Sequence, residues 1–338
     1  MTHVHPEPAE PSSDMLIWDM SVPWQDHGRR WLKDRALGRY RENGVGFVSL
    51  TVAKDEQGVQ ETIRQIARER AMIQANEDKY VLISNVSDII DARKSGKLAI
   101  AFNFQGTNPF ARDLAMVETY HRLGVRHALL AYNLRNAVGS GCHERSDDGL
   151  SSFGIALIRE MNRVGMLVDL AHTGSRTSLD AIEHSSAPVI ISHAAARSVH
   201  DHPRNIDDER IRACAGSGGV MGVTGTGLFL GSNEQLLDKF IQHIDHIVQL
   251  VGPGHVGLGL DFNYDMDAAI AGARSDPAKY PVAGGYANDG LKIIEPEHVP
   301  HITEALQKRG YSDDDVRAIA GLNWLRVASQ VWNTQASK

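Results

Sequence analysis

The chain has 338 residues, with 35 Lys and Arg against 42 Asp and Glu and a formal charge of −7 that is not gathered into long blocks of one sign. That balance argues against a nucleic-acid partner, and the length suffices for one large core. Two cysteines, Cys142 and Cys214, are too few for a disulfide framework and fit a reducing compartment in which both thiols are inert.

The first residues, MTHVHPEPAEPSSD, have no basic region followed by an apolar one, so 1–14 reads as a flexible tail rather than a secretory signal. No stretch approaches the roughly 20 apolar residues of a membrane span. The end, VWNTQASK, has no apolar anchor tail. These features predict a cytoplasmic protein with no membrane partner.

From residue 15 onward, runs rich in β-branched and apolar residues fall near 15–19, 46–52, 98–104, 127–132, 166–171, 188–192, 219–224 and 256–261. Helical patterns at 57–78, 85–96, 111–123, 151–164, 175–185, 207–216 and 234–251 separate them. Strand alternating with helix is the signature of parallel βαβ units, and eight such units close into an α/β fold of the (β/α)8 TIM-barrel type. The runs are continuous rather than alternating, as strands buried on both faces are. The link between the second and third strands is long and carries a short YVLIS segment. After Asp261 comes a Gly-, Pro- and Asp-rich stretch, roughly 263–292, then helical segments near 296–309, 312–320 and 322–333. The organisation predicted is one domain, 15–338, in which 263–338 forms a lid-like stretch and C-terminal helices.

Several runs end on a residue able to do chemistry: Asp19, Gln105, Tyr132, His172, His193 and Asp261. In a parallel barrel the strand C-termini meet on one face, so these residues converge although they are far apart in sequence. His172 and His193 end consecutive strands and are followed by small residues. Neutral imidazoles so placed suit zinc, iron or manganese. Asp261 is placed to bind metal or to take a proton from the attacking water. Arg204, in the polar loop HDHPRNIDDERI, can grip a substrate carboxylate in bidentate fashion, or else pair with Asp201, Asp207 or Asp208. His200 and His202 of that loop are expected in solvent. Cys142 and His143, in NAVGSGCHERSDDG, are weaker ligand candidates, and Glu144 and Asp147 are expected to shape their loop.

The blocks GKLAIAFNFQGT, YHRLGVRHALLAYN, DDGLSSFGIALIREMNRVGMLVDLAHTG, PVIISHAAARSVHDHPRNIDD and HVGLGLDFN occur in an order and spacing that resembles the membrane (renal) dipeptidase family of the amidohydrolase superfamily. The resemblance implies a (β/α)8 barrel, often a homodimer, that hydrolyses dipeptides or related amides at a two-zinc centre. His172 and His193 match the family histidines of the second zinc, Asp261 the acid that handles the proton of the attacking water, and Arg204 the arginine that binds the substrate's terminal carboxylate. Three positions depart from the pattern. The family's first-strand His-x-Asp falls on IWDMSVPW, so the ligand positions become Asp19 and Ser21, or Ser21 and Pro23. The bridging glutamate aligns with Gln105. The histidine at the substrate carbonyl aligns with Tyr132, whose phenol can still donate to an oxyanion, and Asn133 beside it is expected to touch substrate.

A catalytic zinc needs about three protein ligands and a water. His172 and His193 supply two, and Gln105, Asp19 or Asp261 would supply the third. The expectation is therefore one Zn2+ per chain, with iron or manganese as alternatives, in a metal-dependent hydrolase acting on a dipeptide or small amide with a free carboxylate. The competing expectation is a catalytically silent barrel that binds a small carboxylate ligand or a protein partner. A third keeps the enzyme and changes the bond to a lactone or cyclic amide.

Overall fold

Runs such as VGFVSLTVAK are apolar on both faces, and they are stable only where neighbours on either side and helices outside cover them. The computed structural model provides that environment. It describes residues 15–24 and 30–332, so the expected tail 1–14 lies outside the described residues. In chain order the elements are β1 (Ile17–Pro23), α1 (Arg30–Glu42), β2 (Val45–Lys54), α2 (Val59–Ala75), β3 (Tyr80–Leu82), α3 (Ser87–Lys94), β4 (Leu98–Gln105), α4 (Ala115–Arg122), β5 (Val125–Leu129), α5 (Ser152–Val164), β6 (Leu167–Asp169), α6 (Ser175–His184), β7 (Ile190–Ala194), α7 (Asp208–Gly216), β8 (Val220–Val223), α8 (Gly227–Leu230), α9 (Leu236–Val251), β9 (Val256–Leu258), α10 (Met266–Ser275), α11 (Val299–Lys308), α12 (Asp313–Arg317) and α13 (Asn323–Val331).

Parallel pairing runs β2-β1-β9-β8-β7-β6-β5-β4 and returns from β4 to β2, which closes eight strands into a (β/α)8 barrel. The additional strand β3, the YVLIS segment, pairs with the start of β4 from Tyr80 opposite Leu98 to Leu82 opposite Ile100. It lies before the point where β5 joins β4 at Phe102.

The structure departs from the sequence expectations at three elements. Helix α1 occupies a stretch with no predicted helix, because RWLKDRALGRYRE is polar nearly all round and buries chiefly Ala36, Leu37 and Tyr40. Strand β1 runs on to Pro23, so Asp19 sits inside the strand rather than at its end. Within the supposedly irregular 263–292 stretch lies α10, started by Asp265, whose side chain accepts from the Ala268 amide.

Large aromatic residues fill the end of the barrel where the strands begin. Trp18 and Phe47 have ring centroids 3.9 Å apart, and Trp332 packs on both. Trp324 of α13 donates its indole N–H to the Leu258 carbonyl at 3.1 Å. Gly257 is required there, since a Cβ would lie 2.4 Å from that indole nitrogen. Helix α13, with Trp332 at its end, therefore plugs the bottom of the barrel and leaves the strand C-termini as the accessible end. Above the plug, the interior is polar and fully buried. His127 bridges Ser49 Oγ (2.8 Å) and Asp169 Oδ2 (3.0 Å), while Asn103 bonds Ser49 and Thr51. Asp169 Oδ1 in turn accepts from the backbone amides of Ala171 and Ser192. That carboxylate thereby orders the segments leading to His172 and His193.

Candidate active site

A cavity of about 420 Å3 opens at the C-terminal ends of the strands, lined among others by Lys54, Gln105, Tyr132, His172, Asp261 and Tyr280. Its volume lies in the range of small-molecule sites. Asn133, His172 and Asp261 all have left-handed backbones, with φ of 62°, 61° and 57°. Such conformations cost a non-glycine residue about 1–2 kcal/mol each. They occur where the chain leaves a strand and turns its side chain into the cavity, and clustered strain of this kind marks functional sites.

The imidazoles of His172 and His193 meet with their Nε2 atoms 3.1 Å apart. Burial first, and the Arg204 guanidinium second, hold both well below the usual histidine range, so both are neutral at pH 7. The Asn133 amide donates to the Lys279 carbonyl at 3.1 Å, so its Oδ1 is the end that accepts from His172 Nδ1 at 2.7 Å. His172 Nε2 is therefore a lone pair aimed at His193. Asn133 is fully buried behind the imidazole, which makes it the group that orients His172 instead of the expected substrate contact. His193 Nδ1 pairs with Ser192 Oγ at 2.7 Å.

Asp261 stands beside this pair, its Oδ1 4.0 Å from His193 Nε2. Burial pushes it up to about 7, against the lowering pull of Arg204 and Lys54. Tyr132 stacks on His172 with centroids 4.1 Å apart, and its oxygen accepts from Tyr280 at 3.3 Å, leaving its own O–H proton free to donate. Arg204 is 1% exposed. Its Nη2 donates to the His193 carbonyl at 2.7 Å, while Nε and Nη1 have no partner among the described residues. The acids weighed as its partners are engaged elsewhere: Asp207 with Arg210, Asp208 with His246 and Asp201 with Arg197.

The converging imidazoles offer two nitrogen donors that suit a divalent cation, and the positions expected to hold a second cation offer no comparable donor set among the described residues. Asp19 is buried away from the cavity with its oxygens occupied by Tyr40 Oη (2.8 Å) and the amides of Leu260 (2.8 Å) and Ser21 (3.2 Å). Burial raises it to about 7 even so, and it acts as a tie between β1, α1 and β9 rather than as a ligand. Ser21 Oγ is buried without a partner among the described residues, and Gln105 lines the cavity as a neutral amide. Among the described residues no cluster of three or more His, Cys, Asp or Glu side chains has metal-binding geometry. Asp261, close to the imidazoles, is the nearest candidate for a third protein donor.

Other expectations are redrawn by the loops. His202 is buried rather than in solvent, bonding the Gly284 carbonyl at 3.0 Å, and His200 is half-buried. His143 bonds Tyr286 Oη at 2.6 Å, and Cys142, its thiol pushed up by burial, packs behind Asn133. Glu144 accepts from the Arg135 amide within its own loop, and Asp147 accepts from the Arg176 and Thr177 amides, tying the loop to the start of α6. Met266, Tyr280 and Tyr286 bring the 263–292 stretch over the cavity. Two residues that the sequence reading passed over organise the entrance. Asp55 accepts from the amides of Thr107, Asn108 and Tyr132 and from Asn136, tying together three loops. Lys54, at the end of β2, places its ammonium 5.2 Å from the Tyr132 ring centroid. The rule that singled out polar strand ends would have found Lys54 had the strand at 46–52 been extended by two residues.

Residues 17–283 match the family described as membrane dipeptidase, peptidase family M19. Dipeptidase verJ of Clonostachys rogersoniana is 32% identical over 272 residues, covering 80% of this chain and 65% of that protein. The chain spans slightly less than two thirds of the length of the curated relatives it matches. An amidohydrolase from Pseudomonas aeruginosa superposes with a TM-score of 0.82 at 32% identity, covering 95% of this chain and 97% of the other. A metallo peptidase from Rhodobacter sphaeroides, solved with a phosphinate mimic of the dipeptide L-Ala-D-Ala, shares the fold at 19% identity and a TM-score of 0.77, covering 94% and 100%. No helix among the described residues is long and apolar enough to cross a membrane.

Proposed function

Because the chain belongs to the membrane dipeptidase family, we propose that it hydrolyses the amide bond of a dipeptide or small acyl amino acid carrying a free carboxylate, with a single divalent cation, zinc first, at His172 and His193. The observation that carries this reading is Arg204, a guanidinium buried to 1% exposure with two N–H groups unpaired among the described residues. A buried charge left so is costly unless a ligand completes it, and a carboxylate matches its fork geometry.

A cation held by the two imidazoles would supply Lewis-acid polarisation and a lower pKa for water. Asp261 takes the proton of the attacking water and returns it to the leaving nitrogen, a role suited to a carboxyl whose pKa lies at about 7. Tyr132 donates its hydroxyl to the substrate, and the stacked ring keeps His172 in place. Asn133 sets the His172 tautomer. The 263–292 stretch, through Tyr280 and Tyr286, limits water at the reacting bond.

The reading is tested by assaying a panel of dipeptides and acyl amino acids with zinc supplied, beside metal analysis of the wild type and a His172→Ala/His193→Ala variant. Turnover with about one zinc per chain, both lost in the double variant, is expected. No cleavage of any member at a rate that depends on His193 overturns it. The second reading, a silent barrel that binds a carboxylate ligand or protein partner, is favoured by one observation: Ser192 can donate to His193 Nδ1, so the two imidazoles at 3.1 Å can satisfy each other by a direct N–H···N bond. Tight ligand binding by zinc-free protein, without turnover, would establish it.

A further inference from the structure

We propose that Lys54 is a catalytic residue whose ammonium donates to the carbonyl oxygen of the scissile amide and stabilises the charge developing there as water adds. The proposal rests on the amide-hydrolase reading above.

Three observations carry it. First, position: Lys54 closes β2 directly opposite Gln105, the last residue of β4, and both line the cavity with Tyr132, His172 and Asp261. Second, partners: among the described residues Lys54 Nζ has neither a hydrogen bond nor an ion pair, and it stands 5.2 Å from the Tyr132 ring centroid. The acids that follow it in sequence are committed elsewhere. Asp55 is held by backbone amides and Asn136, and Glu56 pairs with Lys279. Third, charge: Asp261, one of the carboxylates lining the cavity, stands at the imidazoles with its Oδ1 4.0 Å from His193 Nε2, and among the described residues it forms no ion pair with Lys54. Arg204 is taken by the substrate's terminal carboxylate in the reading above. Lys54 therefore lacks a counter-charge until one forms on the substrate, and a fixed donor aimed at developing charge is worth most under that condition. An ammonium here also disfavours a second divalent ion, which would lie beside an unpaired positive charge.

The step balances without further reagents. Water oxygen bonds to the carbonyl carbon while one water proton passes to Asp261. The C–N bond then breaks as Asp261 returns that proton to nitrogen, releasing a carboxylic acid and an amine. Lys54 donates a hydrogen bond throughout and exchanges no proton.

The test compares wild type, Lys54→Met and Lys54→Arg in kcat and KM on the best-cleaved dipeptide, in zinc content, and in calorimetric Kd for the phosphinate mimic of L-Ala-D-Ala, whose tetrahedral anion resembles the reacting centre. Removing one such donor costs about 10²–10³ in kcat. Lys54→Met is therefore expected to lose that factor with KM within about threefold, to bind the phosphinate weaker by a similar factor, and to keep its zinc. Lys54→Arg is expected to recover at least about a tenth of the wild-type kcat, since the cation is retained. A raised KM with kcat intact would make Lys54 a ground-state anion binder and overturn the proposal. So would phosphinate affinity unchanged in Lys54→Met, a result that is readable even if no dipeptide is cleaved. Wild-type protein that neither cleaves dipeptides nor binds the phosphinate overturns this proposal and the dipeptidase reading together. Wild-type turnover that survives in Lys54→Met overturns this one alone.

Discussion

Replacing Arg204 by Met separates function from stability, and the structure sets the sign of each effect. The guanidinium is 1% exposed, and its Nε and Nη1 have no partner among the described residues. Each buried unpaired N–H costs about 1–3 kcal/mol, while the one bond it makes, Nη2 to the His193 carbonyl at 2.7 Å, contributes about 1.5–3 kcal/mol as a charged hydrogen bond. Methionine fills similar volume, removes both unpaired donors and gives up the single bond. The ligand-free variant is therefore expected to be more stable by about 1–3 kcal/mol, in line with replacements of buried charges by apolar groups. Activity moves the other way. A carboxylate held by two charge-assisted bonds contributes about 3–6 kcal/mol, so kcat/KM for a dipeptide should fall by about 10²–10⁴. Urea unfolding gives the first quantity and steady-state kinetics the second. A variant that is less stable than wild type and cleaves dipeptides unimpaired would show that the guanidinium is a structural tie and refute the reasoning on both counts.

Two further outcomes follow from the barrel interior. Burial pushes Asp169 up, but its hydrogen bonds to His127 and to Ser192 outweigh it and leave the carboxyl below its ordinary value of 3.8. A depressed folded pKa contributes stability that is present above the unfolded value and lost as pH falls through the folded one. Asp169→Asn should therefore cost about 1.5–3 kcal/mol near pH 7, because it weakens the charge-assisted hydrogen bonds that Asp169 makes to His127 and to the amides of Ala171 and Ser192. The gap to wild type in urea unfolding should narrow below about pH 4, and a gap that widens there would contradict the assignment. Gly259→Ala would put a Cβ 1.9 Å from the Ser192 carbonyl oxygen and 3.1 Å from His193 Cα. It should lower stability by about 1–3 kcal/mol or more through overpacking and reduce zinc bound per chain, measured by mass spectrometry. Unchanged zinc content would show that β7 can shift without moving His193.

Much of this molecule was legible residue by residue. Eight apolar runs of the right density announced eight barrel strands, and of the polar residues ending them Tyr132, His172 and Asp261 line one cavity, with His193 against His172. Helix α1 was not legible, because its polar surface carries little periodic signal. Lys54 was passed over since, within AKDEQ, it looks like part of a solvated charge run. His202 was taken for a surface residue because its neighbours are polar, yet it is buried under Gly284, a residue 82 positions away.

What the sequence by itself determined is where each strand runs and which chemical group stands at its end, because strand formation depends on local apolar density and β-branching. Only the tertiary structure decided which of those groups are free to act. Asp19 within β1 and Asp261 just after β9 are both carboxylates raised to about 7 by burial. Asp19 has spent its oxygens on Tyr40 from α1 and on Leu260, just after the neighbouring strand β9, whereas Asp261 faces the cavity beside His193. Lys54 is left unpaired because Asp55 and Glu56, adjacent in sequence, turn to partners on other loops. Hydrogen bonding depends on distance in space, and closing the barrel brings Leu260 to Asp19, 241 positions away in the chain.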